Sequence, residues 1–301
     1  MVSKEKVVQC LPNFSEGRDL DKIEKIVNAF RRKEGVKLID YNNDVNLNRT
    51  IVILMGEPQK IKNAVLEAMG IAIEIIDMRE HKGQHPRIGA VDVIPFIPLK
   101  NMSMLEAVNL SKELAKEAGE RFKIPIYLYE KSATRPERES LVNIRRGQYE
   151  GMAKKMNRPE WKPDFGPDEL NITAGATVVG ARMPYIFFNI NLDTKNIAVA
   201  DKIAKNIRFS NGGLRFCKAI GVKIYDNELV QVSIDITDYN TMSLYTVFEM
   251  VKMESRRFGV NVISSEIVGL VPMSALLHSA LYYLQVDKFS SEQILENTFM
   301  E

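Results

Sequence analysis

Val230-Gln231-Val232-Ser233-Ile234-Asp235-Ile236-Thr237 is the stretch on which the reading of the fold turns. Apolar residues stand at 230, 232, 234 and 236, with polar residues between them. A period of two is that of a strand with one buried face. Upstream, Cys217 to Tyr225 predicts a strand, Thr194 to Ile207 a helix and Tyr185 to Leu192 a further strand. The helix carries Ala200, Ile203, Ala204 and Ile207 on one face. Downstream, Leu244 to Phe258 predicts a helix with Val247, Phe248 and Val251 inward, and Val260 to Val271 holds the last strand. The order is β-α-β-β-α-β.

The first half repeats it. Val7 to Leu11 is a short strand, and Asp21 to Phe30 a helix with Ile23, Ile26, Val27 and Phe30 on one face, ended by Gly35. Val36 to Asp40 is a strand. Thr50 to Met55 is another, apolar throughout and so expected to be covered on both faces. Gln59 to Ile76 is a helix and Ala90 to Leu99 a strand. Each half adds a closing helix, Met104 to Phe122 and Ser274 to Val286. The expected fold class is α+β, as two tandem ferredoxin-like (split βαβ) domains with extra helices, residues 1–181 and 182–301. Glu150 to Arg182, rich in Pro and Gly, shows no obvious element and reads as a long ligand-binding loop. Trp161, Phe165 and Leu170 within it argue against disorder.

Composition excludes several classes. Formal net charge is +2 with no basic run, so neither nucleic acid nor a membrane surface is expected as main partner. Two distant cysteines, Cys10 and Cys217, without a CxxC pair, suit a reducing cytoplasm and read as buried thiols. The start Met1-Val2-Ser3-Lys4-Glu5-Lys6 is not that of a signal peptide, and no run of 18 apolar residues predicts a membrane span. There is no GxSxG, no P-loop and no GxGxxG after a strand.

Two of the three histidines stand in His81-Lys82-Gly83-Gln84-His85-Pro86-Arg87. Their spacing imitates an HExxH zinc helix, but Lys82 replaces the glutamate, and Gly83 and Pro86 oppose a helix. A zinc hydrolase on His81, His85 and Asp92 is therefore a distant reading, and no metal is expected. The segment is a loop, and a histidine there can exchange protons near neutrality; its rival is a surface histidine with no role. His81 is expected to cap the preceding helix, and His278, in an apolar helix, to be structural.

Leu11 to Gly17, Asn48-Arg49-Thr50, Gly83 to Val93, Pro125 to Tyr129, Pro163 to Pro167, Gly175-Ala176-Thr177, Gly180-Ala181-Arg182 and Phe188 to Leu192 together resemble the glutamate formimidoyltransferase family, the transferase half of formimidoyltransferase-cyclodeaminase. The resemblance runs from about residue 7 to about residue 286. It implies a cytoplasmic homodimer that moves a formimidoyl group from N-formimidoyl-L-glutamate to N5 of tetrahydrofolate, the co-substrate, in histidine degradation and one-carbon metabolism. It implies that His85 is the catalytic acid/base, and that the folate loop is Gly166, Pro167, Asp168, Glu169, Leu170, Asn171, Ile172, Thr173, Ala174 and Gly175, with Phe165 a stacking surface or a core residue. Arg49, Arg87 and Arg182, each inside a family-like motif, are candidates for binding substrate carboxylates, with surface or structural ion pairs as their rivals. Asn13 and Asn48 are candidates for the amidine or for orienting His85, and turn roles compete. Asp40, read as a strand end, either orients the imidazole or ends the strand. The cyclodeaminase half is not seen, so a separate protein is expected to act on the product. Gln84, where the family often has Glu, is expected to lower the His85 pKa. Formyl transfer from N-formylglutamate and a non-catalytic folate-binding protein are the alternatives.

Overall fold

The computed structural model describes residues 5–224 and 228–295. Tyr225, the expected end of a strand, lies outside the described residues. The chain divides into two compact units, Met1–Arg182 and Met183–Glu301.

In the second unit, the strands are β8 (Ile186–Leu192), β9 (Cys217–Lys223), β10 (Val230–Ile236) and β11 (Val262–Val268), in the order β11-β8-β10-β9 with every neighbouring pair antiparallel. Helices α6 (Ile197–Ile207) and α7 (Leu244–Arg256) connect β8 to β9 and β10 to β11, and α8 (Met273–Tyr283) follows. This is the split βαβ arrangement the alternation at 230–236 predicts: Val230, Val232, Ile234 and Ile236 are all buried, while 231, 233 and 235 are half-buried. They pack with Ala200, Ile203, Ala204, Ile207, Val247 and Val251 of the helices.

The first unit begins on the same plan. A first strand, broken by Leu11-Pro12 into β1 (Val8–Cys10) and β2 (Asn13–Phe14), lies between β4 (Arg49–Gly56) and β5 (Val91–Pro98); β3 (Val36–Asp44) takes the edge beside β4. Helices α1 (Leu20–Asn28), α2 (Pro58–Ile75) and α3 (Met104–Phe122) surround its main core. Asp19 caps α1 by accepting from the amides of Asp21 and Lys22, and Ser103 with Glu106 forms a reciprocal box at the start of α3.

The plan then grows. Two strands, β6 (Ile126–Glu130) and β7 (Thr177–Ala181), extend the sheet in the order β5-β7-β6, both pairings parallel. Neither was among the expected strands. Both are short apolar runs buried on both faces, which periodicity does not separate from helix. The crossover from β6 to β7 holds α4 (Leu141–Arg145), α5 (Gln148–Met156) and a 3-10 turn at Pro159–Trp161. The supposed long loop of 150–182 is thus bounded by elements, α5 to Met156, the turn at Pro159–Trp161 and β7, and residues 162–176 remain without a helix or strand. With Ile144, Met152, Met156 and Trp161, the crossover forms a second core on Val93, Tyr127 and Val178. Here it is β5, not β4, that is covered on both faces. In β4, Val52 and Leu54 are buried, but Ile51, Ile53 and Met55 are half-buried.

One buried ion pair anchors this crossover. Arg138 is 1% exposed; it donates to Asp164 at 2.7 Å and to the carbonyls of Glu160, at 2.8 Å, and Lys162. Asp164 also accepts from the amide of Leu128 in β6 at 2.8 Å. Removing one partner of a buried pair strands the other charge. Asp164→Ala is expected to destabilise the protein by about 3–5 kcal/mol, read as a lowered urea midpoint with the slope of the transition unchanged.

Candidate active site

The loop between α2 and β5 lies on the turn at residues 46–48. Gly83 makes this possible: a Cβ there would stand 2.3 Å from the Leu47 carbonyl oxygen. Asn48, in the left-handed region at φ 50°, accepts from the Gly17 amide at 2.9 Å and donates to the Lys82 carbonyl at 3.0 Å. The Asn48 carbonyl accepts from His81 Nε2 at 2.9 Å, and His81 Nδ1 accepts from Arg87 Nε at 3.1 Å. Both ring nitrogens of His81 are thereby used, and the ring is neutral. Burial, first of all, lowers its pKa. His81 is not a helix cap, since α2 ends at Ile75; it staples the loop to the turn. Asn48 is likewise spent on joining three segments.

Arg87 is buried and uses all five N–H groups inside the protein. Nε goes to His81 Nδ1, Nη2 to the His81 carbonyl at 3.1 Å and Glu150 at 2.7 Å, and Nη1 to Gln148 at 3.0 Å and Glu150 at 2.9 Å. The expectation that Arg87 takes a substrate carboxylate gives way here to a structural clamp between the histidine loop and α5.

His85 is the ring this scaffold presents, with its side chain 15% exposed. Arg49 Nη1 is 3.3 Å from both ring nitrogens, and Asp92 Oδ2 is 3.9 Å from Nε2. Asp92 also pairs with Arg145 and accepts from the Ile88 amide at 2.8 Å. Burial, then the cations Arg49 and Arg145 and the neighbouring His81, push the His85 pKa down to about 3. The direction matches that expected from Gln84, but the cause does not: Gln84 is exposed, and it is burial and two arginines that act. Arg49 is half-buried, and among the described residues it makes no ion pair with a carboxylate. Burial, then Arg145, lowers its pKa.

The other candidates are scattered. Asp40 does not orient the imidazole. Its strand runs on to Asp44, and a bulge between Leu38 and Asp40 leaves Asp40 exposed, accepting from the Tyr41 amide at 2.8 Å. Asp92 holds the place beside the ring. Asn13 is buried and donates to the Leu11 carbonyl at 3.0 Å, a turn role at the break in the first strand. Arg182 is half-buried against Tyr129, whose pKa burial pushes up to about 12 against the opposing pull of Arg182.

The segment 166–175 is fixed at both ends. Gly166 (φ 81°) presses on the Ile124 carbonyl and Gly175 (φ 72°) on the Ile88 carbonyl, each at a distance no Cβ would fit. Phe165 is half-buried, its side chain packed against the main core and its backbone bridged to Ile126. Asn171 accepts from the amides of Thr173 at 3.2 Å and Ala174 at 2.9 Å, which shapes the turn. Asp168 pairs with Lys162 at 3.1 Å; Glu169, Ile172 and Thr173 are exposed, while Pro167 and Leu170 are half-buried. Ala174 accepts from the Ala90 amide at 2.8 Å and Met78 donates to the Thr173 carbonyl at 2.8 Å, so the segment borders the histidine loop. Tyr149 joins both, its amide on the Arg87 carbonyl and its hydroxyl on the Ile172 carbonyl. An open cleft of about 660 Å³ runs between α5 and this segment, lined by Tyr149, Glu150, Met156, Leu170 and Ile172 among others.

Arg145 and Glu150 were not anticipated, and Asp92 only as a zinc ligand. Arg145 ends a five-residue helix, too short for any periodic signal, and Arg145-Arg146 reads as an ordinary surface pair. The described residues contain no group of three or more His, Cys, Asp or Glu placed to hold a metal ion, and no helix long and apolar enough to cross a membrane.

The His85 environment carries a stability prediction. An unfolded histidine titrates near 6.5 and the folded ring near 3, so between these values the unfolded state binds more protons and falling pH favours unfolding. Wild type is expected to lose about 2 kcal/mol more than His85→Gln between pH 7 and pH 5. Paired denaturant titrations check this, and equal losses would count against the buried neutral ring.

A model of the formiminotransferase domain, N-terminal subdomain, matches residues 7–182, and one of the formiminotransferase domain matches 187–298. The chain is 49% identical to a glutamate formimidoyltransferase of Streptococcus pyogenes serotype M1, over 97% of this chain and 98% of that one. It is 43% identical to a glutamate formimidoyltransferase of Thermoplasma acidophilum, over 96% of each. A formimidoyltransferase-cyclodeaminase of Rattus norvegicus is 39% identical over 94% of this chain, which spans 53% of that longer protein. The resemblance carried by the motifs is borne out: this chain belongs to the formiminotransferase family.

Proposed function

We propose that this protein transfers the formimidoyl group of N-formimidoyl-L-glutamate to N5 of tetrahydrofolate, giving 5-formimidoyltetrahydrofolate and L-glutamate. One observation carries the reading at the site: His85 is a neutral, nearly enclosed imidazole between an unpaired arginine and a buried carboxylate. The near full-length identity to glutamate formimidoyltransferases supports the choice of substrates.

N5 attacks the amidine carbon and a tetrahedral intermediate forms. His85 takes the proton that N5 loses and returns it to the departing glutamate nitrogen, so one group serves as base and then acid. The return is favoured because an imidazolium here is destabilised by burial and by the arginines. Arg49, the cation at the ring without a carboxylate, takes a carboxylate of the donor. Folate lies along 166–175 beside the histidine loop, and holding the two substrates together supplies much of the remaining acceleration. The family resemblance supports a cytoplasmic homodimer, and sedimentation would check the dimer.

The test is product formation from the two substrates. His85→Ala is expected to fall by about a hundredfold or more in kcat. Arg49→Met is expected to raise the donor KM by about tenfold or more, the scale of a lost charged hydrogen bond. Turnover with N-formylglutamate alone would overturn the donor assignment, and folate binding without turnover would overturn the enzyme reading. Because kcat/KM reports the free enzyme and His85 stays unprotonated to about pH 3, its acid limb is expected below pH 6.5, the ordinary histidine value.

A further inference from the structure

The charged and titratable groups facing the His85 ring come from four places: Arg49 on β4, Asp92 on β5, Arg145 at the end of α4, and His81 on its own loop, with Asp44 of β3 acting on Arg49. Asp92 is the one carboxylate among those at the ring. Its side chain is 2% exposed and cannot swing, because Oδ1 holds the Ile88 amide, three residues beyond the ring it faces. Oδ2 is shared: it accepts from Arg145 and stands 3.9 Å from His85 Nε2.

We propose that Asp92 and Arg145 are positioning residues for His85: Asp92 keeps the ring proton on Nε2, leaving Nδ1 as the nitrogen that exchanges protons with substrate, and Arg145 limits how much of the Asp92 charge reaches the ring. A carboxylate facing one nitrogen of an imidazole favours the tautomer with its proton there. Nδ1 then has a lone pair; Arg49 Nη1 stands 3.3 Å from both ring nitrogens and does not choose between them, so the choice falls to the carboxylate. When Nδ1 takes its proton, the imidazolium draws on Asp92, and Arg145 competes for the same oxygen. Arg145 has no second anchor to relieve this: its buried Nε has no hydrogen-bond partner among the described residues. It is aimed by α4, whose Asn143 and Ile144 carbonyls accept from Lys155 Nζ at 2.6 and 2.7 Å, while that ammonium sits 3.8 Å from the centre of the Trp161 ring.

The assignment of Nδ1 as the working nitrogen rests on the acid/base reading of His85; the tautomer and the charge sharing do not. The experiment is a long-range ¹H–¹⁵N spectrum of the ¹⁵N-labelled protein, with His85 assigned by its loss in His85→Gln. Wild type is expected to show the Nε2–H tautomer, and this needs no other variant to fold. Asp92→Asn, which can still accept from the Ile88 amide, is expected to lose that preference, and its kcat to fall more than about tenfold with donor KM within about twofold. Arg145→Gln is expected to raise the His85 titration midpoint by about one to three pH units, the range for an opposite charge made available at this distance. A wild-type Nδ1–H tautomer, an unchanged tautomer in Asp92→Asn, or an unmoved midpoint in Arg145→Gln would each overturn the proposal. A wild type with the expected spectrum but no turnover on either donor would overturn the enzyme reading instead.

Discussion

The site depends on a guanidinium whose every N–H is spent inside the protein. Arg87 lies inside the protein with each N–H bonded, two of them to Glu150 of α5 and two to His81 of its own loop. A buried charge is tolerated only when fully partnered, so Arg87 in turn demands that α5 and the loop stay where they are. His81, Asn48 and the Gly83 contact extend the same demand to the turn at 46–48. Arg49 follows that turn, and His85 stands in that loop. Their approach to 3.3 Å is a consequence of packing two residues away from the chemistry.

The charge balance at the ring is uneven for a physical reason. Two arginines and one carboxylate converge in a space with little water, and the carboxylate is drawn to the better hydrogen-bond donor. The imidazole is left with cations for company and stays neutral. A site that must accept an anionic donor gains from such an excess of positive charge, because the ligand supplies the missing counter-charge on arrival. The same excess suits a group that must release its proton soon after taking it.

Much of this was legible in the residues. The alternation at 230–236 gave one strand and the order of its neighbours, and the glycine and proline around His85 marked a loop where the spacing of two histidines suggested a metal helix. What escaped had weak local signals. β6 and β7 are buried on both faces and so lack alternation. α4 spans five residues, and Arg145 at its end looks like any surface arginine. Asp40 was misplaced because its strand does not stop there: a single bulge near Ile39 resets the register, so the carboxylate that seemed to reach the site faces solvent. Asp92, inside the first strand residues after the loop, was visible but valued only for the wrong chemistry.

The parallel pairing of β7 with β5 has a kinetic consequence. In the second unit, β9 and β10 are joined by a short connection and can meet early. β7 reaches β5 only after the chain has made α3, β6, α4 and α5, and such distant contacts form slowly because the closure entropy comes before the reward. Gly175 sits against Gly89, and Ala174 holds the amide of Ala90, so the loop carrying His85 is supported by the segment that leads into the final strand of the unit. Arg87 and Glu150 likewise meet across sixty-three positions. Sequence separation thus sets the contacts that order the site among the slowest of this unit to form, after the local antiparallel pairings.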